Sequence, residues 1–311
     1  MDGLEVSLGA SIGMSWTATG DIEPDDLLAE ADQDMYQRKA LRRLRVAGSP
    51  RLLGPETLLG AFERREFLLE YQPVLDASTG WVLGLEALVR WDHPEHGRLL
   101  PGAFMQVAEK LGFMRLLGEW VLHSACERLA EWQRRFGQVV PGLRINLTAD
   151  QFQDPLLQDA LMEAIQTHGL NAHQLCVEID ESSLQGDERE VVDQIKQIRS
   201  IGVRLSLDSY GREGMVLDTL ARFTLDEVKL APRILVGLHR EPRRLQVLRA
   251  LMGLCRNLGI EVAAKNVETE AQARALASLR CWRQQGRYYQ AALPEEQVAN
   301  YLLEQHLPAA C

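Results

Sequence analysis

Val203-Arg204-Leu205-Ser206-Leu207-Asp208-Ser209-Tyr210-Gly211 alternates apolar and polar residues, then breaks at an acid, a hydroxyl and a glycine. Such alternation marks a strand with two unlike faces, and the glycine marks the turn that ends it. Val262-Ala263-Ala264-Lys265-Asn266-Val267-Glu268 is built the same way, a short apolar run closing on polar residues. Leu175, Val177 and Ile179 alternate around Glu178. Elsewhere the period changes: Leu117, Trp120, Val121, Ala125, Leu129 and Trp132 recur at helical spacing, which predicts one core-facing stripe. Strands separated by helices imply a parallel sheet, and their repetition favours an α/β fold closed as a (β/α)8 barrel. Barrel chemistry sits at the carboxyl ends of strands, where Asn146, Glu178, Asp208 and Lys229 fall. Along Gly84–Trp91, Glu86, Leu88 and Arg90 share one face, and Leu85, Ala87 and Val89 the other.

Bulk properties narrow the class. The formal charge of −10 argues against a surface for a nucleic-acid polymer. Cys126, Cys176, Cys255, Cys281 and Cys311 are scattered and never at metal-ligand spacing, so free thiols in a reducing cytoplasm are expected. No apolar run reaches the ~18 residues that span a bilayer, and the amino-terminal residues lack a signal-peptide pattern.

Motifs then accumulate in a fixed order. They are Tyr71-Gln72-Pro73-Val74, Gly84-Leu85-Glu86-Ala87-Leu88-Val89-Arg90-Trp91, Gly97-Arg98-Leu99-Leu100-Pro101 and Ala108-Glu109-Lys110-Leu111-Gly112-Phe113. Ile145-Asn146-Leu147-Thr148, Val177-Glu178-Ile179-Asp180-Glu181, Val228-Lys229-Leu230 and Gln285-Gly286 follow. This series, over roughly residues 51–305, resembles the EAL-domain family, the bacterial cyclic-di-GMP phosphodiesterases and their non-catalytic relatives. The resemblance implies a modified TIM-like (β/α)8 barrel whose first strand runs antiparallel.

It also implies a site that uses two divalent ions to neutralise a phosphodiester and lower the pKa of the attacking water. By resemblance, Glu86, Asn146, Glu178 and Asp208 hold the first ion, Mg²⁺ or Mn²⁺, with Lys229 retained as the family's catalytic lysine. The second ion's acids are replaced by Ser209 and Lys265. A hydroxyl substitutes poorly for a carboxylate, and an ammonium cannot ligate a cation. Glu86, Glu178, Asp208 and Asp180, set against Lys229 and Lys265, leave a net charge of −2 where the family pattern carries −4. One divalent ion would balance this pocket, and Lys265, paired with Asp208 or Asp180, would stand in for the other. The alternative is a lysine that simply extends to solvent.

The D-D-F-G-T-G-Y-S-S loop becomes Asp208-Ser209-Tyr210-Gly211-Arg212-Glu213-Gly214-Met215-Val216, which keeps both glycines. It loses the hydroxyl-rich end that Glu181 anchors in the family, so the family's coupling of dimerisation to metal loading is put in doubt. For ligand recognition the resemblance assigns Gln72 and Glu268 to a guanine and Arg90 to a phosphate. Leu88 would form the groove wall and Gln285 the far side, with Arg287 replacing the usual tyrosine.

Residues 1–46 read as a separate unit. Val6–Gly13 predicts a strand, and Glu23-Pro24-Asp25-Asp26-Leu27-Leu28 opens a helix that runs to Lys39. This is similar to the last strand and helix of a GGDEF (diguanylate cyclase) domain, so the chain is expected to be the tail of a longer protein. The basic run Arg38–Arg45 fits a solvated helix end. The expected organisation is therefore 1–46 as a GGDEF carboxyl-terminal remnant, 47–60 as a linker leading into a helix, and 61–311 as an EAL domain. Three functions compete: a catalytically impaired receptor that binds cyclic-di-GMP and signals to a protein partner or through a homodimer, a scaffold that binds no nucleotide, and a working phosphodiesterase.

Overall fold

A computed structural model describes residues 55–137, 142–212, 214, 215 and 217–306. The predicted strand and helix of residues 1–46 lie outside the described residues. In chain order the elements are α1 (Pro55–Glu63), β1 (Phe67–Asp76), β2 (Val82–His93), β3 (Gly97–Leu99), α2 (Pro101–Lys110), α3 (Met114–Phe136) and β4 (Gly142–Asn146). Then come α4 (Ala149–Phe152), α5 (Leu157–His168), β5 (Leu175–Ile179), α6 (Glu188–Ser200), β6 (Arg204–Tyr210), α7 (Leu217–Arg222) and β7 (Glu227–Leu230). The chain ends with α8 (Pro232–Leu235), α9 (Pro242–Asn257), β8 (Glu261–Ala264), α10 (Glu270–Ser278), β9 (Arg283–Gln284), β10 (Leu293–Pro294) and α11 (Glu295–His306).

The strands pair in the order β10-β1-β9-β8-β7-β6-β5-β4-β2-β3, and β1 also pairs with β2, so eight strands close on themselves. From β2 through β4 to β9 the neighbours run parallel, while β1 lies antiparallel to β9. The expected barrel with its antiparallel first strand is thus present. Its outward side chains, such as Leu143, Ile145, Val177, Ile179, Leu205, Val228 and Leu230, are almost fully buried. The predicted stripe of α3 packs as expected at Leu117, Val121, Ala125, Leu129 and Trp132, with Trp120 half-buried at its margin.

Two compact units make up the described chain, one of residues up to Leu68 with Arg90–Phe113, the other of Leu69–Val89 with the residues from Met114 onward. In the first, Trp91 is fully buried, stacks near Phe67 and Phe104, and donates its indole N–H to Glu66 at 3.0 Å. The second contains the barrel interior. There the inward positions are polar: Glu86, Arg144, Glu178, Ser206, Glu227 and Lys229 are all buried. Apolar layers usually fill a small barrel; here ion pairs do.

Candidate functional site

Alternation along each strand sorts the interior into two tiers two residues apart. Arg144, Ser206, Glu227 and Arg283 form the lower tier. Glu86, Asn146, Glu178, Asp208, Lys229 and Gln285 form the upper tier, all but Glu86, which lies within the long β2, at or near the carboxyl ends of their strands. Asn146 sits directly beside Glu178 in the β4–β5 register.

Lys229 organises the upper tier. Its Nζ donates to Glu86 Oε2 at 2.6 Å and to Glu178 Oε2 at 2.7 Å. Asn146 Nδ2 donates to Glu86 Oε1 at 2.8 Å, and Gln285 Nε2 donates to Glu86 Oε2 at 2.8 Å. Burial alone would raise the Glu86 carboxyl, but these donors outweigh it and hold it at about 2. Glu178 goes the other way: burial, then the charge of Glu86, push it up to about 7. Burial disfavours the Lys229 ammonium, yet Glu178 and Glu86 keep its pKa above the usual range.

At the rim, the β6–β7 register slips between Leu207 and Tyr210, and Ser209 takes φ 55. A bulge of this kind re-aims side chains at the end of a strand. Asp208 Oδ2 accepts from Lys265 Nζ at 2.6 Å and from the Ser209 hydroxyl at 3.2 Å. Lys265 is followed by Asn266 at φ 56, a left-handed position that asparagine tolerates better than most side chains. Of the two expected partners for Lys265, the structure selects Asp208. Asp180 is instead the cap of the following short helix, its Oδ1 accepting from the backbone and hydroxyl groups of Ser182 and Ser183. Asp180 keeps its charge but turns it onto these groups rather than onto Lys265.

Gln285 owes its place to Gly286. A Cβ on that glycine would lie 2.0 Å from Val267 O, so no other residue fits without moving the backbone. The close approach lets Val267 N donate to Gln285 O and Gln285 N donate to Ala264 O. Gln285 Nε2 also reaches Gln72 Oε1 at 3.3 Å, and Gln72 Nε2 donates to Gln290 O at 3.1 Å. Glu268 stands apart, accepting from Arg287 Nη2 at 2.6 Å. Leu88 is half-buried, and Arg90, in the other unit, is buried.

Three buried polar atoms around this region have no hydrogen-bond partner: Asp208 Oδ1, Gln285 Oε1 and Glu181 Oε1. The orphaned Glu181 oxygen agrees with the loss of the hydroxyl-rich loop end. Glu86 and Glu178 both face Lys229, and among the described residues no cluster of three or more His, Cys, Asp or Glu side chains is arranged to hold a metal ion.

Sequence reasoning missed the lower tier. Arg144 is clamped by Glu227, through Nη1 to Oε1 and through Nη2 to Oε2 at 2.9 Å, and its Nη1 also reaches Glu178 Oε1 at 3.3 Å. Ser206 donates to Glu227 Oε1 at 3.1 Å, and Arg283 lies 3.8 Å from Oε2. Arg144, and next to it Arg283, overcome burial to hold Glu227 at about 2. The signal was available in Gly142-Leu-Arg-Ile-Asn146 and Glu227-Val-Lys-Leu230, where polar residues recur on one strand face.

The EAL domain model matches residues 56–292. An uncharacterised signalling protein of Caulobacter vibrioides is 34% identical over 298 residues, covering 92% of this chain and 36% of that protein. The bifunctional diguanylate cyclase/cyclic di-GMP phosphodiesterase MucR of Pseudomonas aeruginosa is 32% identical over 303 residues, covering 94% of this chain and 44% of MucR. The chain therefore spans well under two thirds of these curated relatives. The structure of the MucR phosphodiesterase in complex with c-di-GMP superposes with a TM-score of 0.73 at 34% identity, over 78% of this chain and 98% of that one. Barrel, strand-end motifs and these matches agree, and the chain belongs to the EAL domain family.

Proposed function

We infer that this EAL domain binds cyclic-di-GMP as a receptor and does not hydrolyse it. The observation that carries the reading is the Lys265–Asp208 pair at 2.6 Å, a protein cation set against the acid at the end of β6. Phosphodiester hydrolysis with two divalent ions needs carboxylates on both sides of the phosphate. A second ion does not fit Ser209 and Lys265, so no step through it is derived. A single Mg²⁺ or Mn²⁺ fits the donor chemistry of Glu86, Asn146, Glu178 and Asp208, and Asp208 Oδ1 is a buried acceptor without a partner. When bound, such an ion would neutralise phosphate charge. Lys229 and Lys265 supply part of that neutralisation from the chain itself, as point charges.

In this reading Gln72 and Glu268 meet a guanine, Leu88 forms wall, Gln285 closes the far side and Arg90 takes a phosphate. The ligand is supported by MucR, whose structure is a c-di-GMP complex. Residues 1–46 are proposed as a GGDEF remnant, 47–60 as a linker and 61–311 as the receptor domain, in a cytoplasmic protein that passes occupancy to a protein partner or across a homodimer. No described helix is long and apolar enough to cross a membrane. One observation favours a second reading, a scaffold without nucleotide: Glu268, Gln72 and Gln285 are already engaged with other groups of the chain. Calorimetric titration of the folded chain with cyclic-di-GMP, with and without Mg²⁺, separates the two. Binding without turnover to pGpG supports the receptor, no binding supports the scaffold, and metal-dependent pGpG formation overturns both.

A further inference from the structure

At the amino ends of the strands the barrel carries another opening, a cavity of about 450 Å³ lined in part by Arg256, Gly259, Glu261, Arg280, Trp282 and Arg283. Its two acids are engaged, Glu261 in ion pairs and Asp76 in hydrogen bonds that leave its charge in place. Glu261 accepts from Arg204 and from Arg283 at 2.5 Å, and Asp76 accepts from Ser78 at 2.8 Å. The guanidinium groups of Arg256 and Arg280, by contrast, make no hydrogen bond or ion pair among the described residues. Three arginines, Arg256, Arg280 and Arg283, face two carboxylates, so the lining is positive by one charge in a chain of formal charge −10.

The backbone of Arg280 is the second observation. Helix α10 ends in a left-handed residue whose N–H donates to Ala277 O, followed by Cys281 N donating to Leu276 O. Glycine normally fills this position. It does so after α5, at Gly169 with φ 66, and after α9, at Gly259 with φ 72, on the same cavity. Here the residue is arginine at φ 59, a side chain held where the backbone disfavours one. Arginines do gather at helix ends to meet the carbonyl groups. Arg244 shows that arrangement, donating to the carbonyls of Val236, Arg233 and Ile234. Arg256 and Arg280 donate to none. Trp282, 38% exposed, follows two residues later and lines the same cavity.

We propose that this end of the barrel binds a ligand combining a flat ring with an anionic group, of the size of a nucleoside monophosphate. The ring lies on Trp282, since stacking on an exposed indole tolerates any base. The phosphate sits with Arg256 and Arg280, whose planar guanidinium groups suit its geometry. The carbonyl ends of α9 and α10 oppose an anion, so both arginines are needed.

Isothermal titration of the full chain with GMP, guanosine and inorganic phosphate tests this. GMP binds saturably at one site and more tightly than guanosine or phosphate. Arg280→Gly and Arg256→Gln each weaken it by roughly tenfold, as loss of one charge-assisted contact does, and Trp282→Leu weakens it severalfold. Arg280→Gly also unfolds at an equal or higher temperature, because glycine relieves the backbone, and cyclic-di-GMP affinity stays unchanged in that variant. The proposal is overturned by absent GMP binding in the folded protein, by phosphate binding as tightly as GMP, or by unchanged GMP affinity in Arg280→Gly. A parallel loss of cyclic-di-GMP binding in that variant would also overturn it as a separate site.

Discussion

The lower and upper tiers of the barrel interior stand on the same strands two residues apart, yet they differ in how completely their polar atoms are satisfied. In the lower tier both oxygens of Glu227 face arginine, and Ser206 adds a further donor. In the upper tier Asp208 and Gln285 each keep a buried oxygen without a partner. Glu227 is held at about 2, as is Glu86 in the upper tier, while burial and the charge of Glu86 push Glu178 up to about 7. A closed set of charges stabilises shape, while an open one keeps capacity for something that is not part of the chain.

The largest expected effect breaks the closed tier. Arg144→Ala leaves Glu227 buried and ionised without its main partner, which costs about 3–5 kcal/mol. Urea unfolding should show that loss; a shift under 1 kcal/mol would mean that the two tiers are not energetically distinct.

Next comes Glu178. Its carboxyl titrates above its ordinary value of 4.5 when folded, so between there and about 7 the native state holds more protons than the unfolded chain. Stability contributed by this group is present in acid and declines as pH rises through that window. Glu178→Gln should flatten the decline. Measuring urea midpoints from pH 4.5 to 7.5 checks it, and an unchanged slope would assign the proton elsewhere. Glu86, held at about 2, behaves oppositely: its contribution is full above its ordinary value and is lost as pH falls toward 2.

Lys265→Glu sharpens the comparison at the rim. Adding a negative charge beside Asp208 should lower cyclic-di-GMP affinity about tenfold without metal and recover part of it with Mg²⁺, by like-charge repulsion near a phosphate. Combined with Ser209→Asp, it should raise the demand for divalent ions. Equal affinities for wild type and Lys265→Glu under both conditions would make the lysine a bystander. The smallest effect is on stability: Lys265→Met should change unfolding by about 1 kcal/mol or less, because the pair is partly exposed and screened.

Much of this was legible in the sequence. Strand alternation and turn residues gave the barrel, and the strand-end polar residues Asn146, Glu178, Asp208 and Lys229 do converge, together with Glu86. What failed depended on distance or on local competition. Asp180 looked like part of the charge cluster, but Ser182 and Ser183 follow it, and an acid two residues ahead of such N–H groups caps them. Arg144 and Glu227 were passed over because each is embedded among apolar neighbours, and their pairing spans 83 residues. The contact of Glu268 with Arg287 joins residues 19 apart and has no local pattern, so the sequence did not show it.

That last contact has a consequence for how such a receptor would respond to its messenger. A guanine reaching Glu268 must first displace Arg287, so the chain carries its own competitor. The pair is exposed on the arginine side and is worth at most about 1 kcal/mol. Occupancy of the closed form then raises the apparent dissociation constant by up to about sixfold, the inverse of the fraction open. In the proposed receptor Arg287 would therefore act on threshold rather than on capability, setting the messenger concentration at which half the molecules respond and leaving the saturated response untouched.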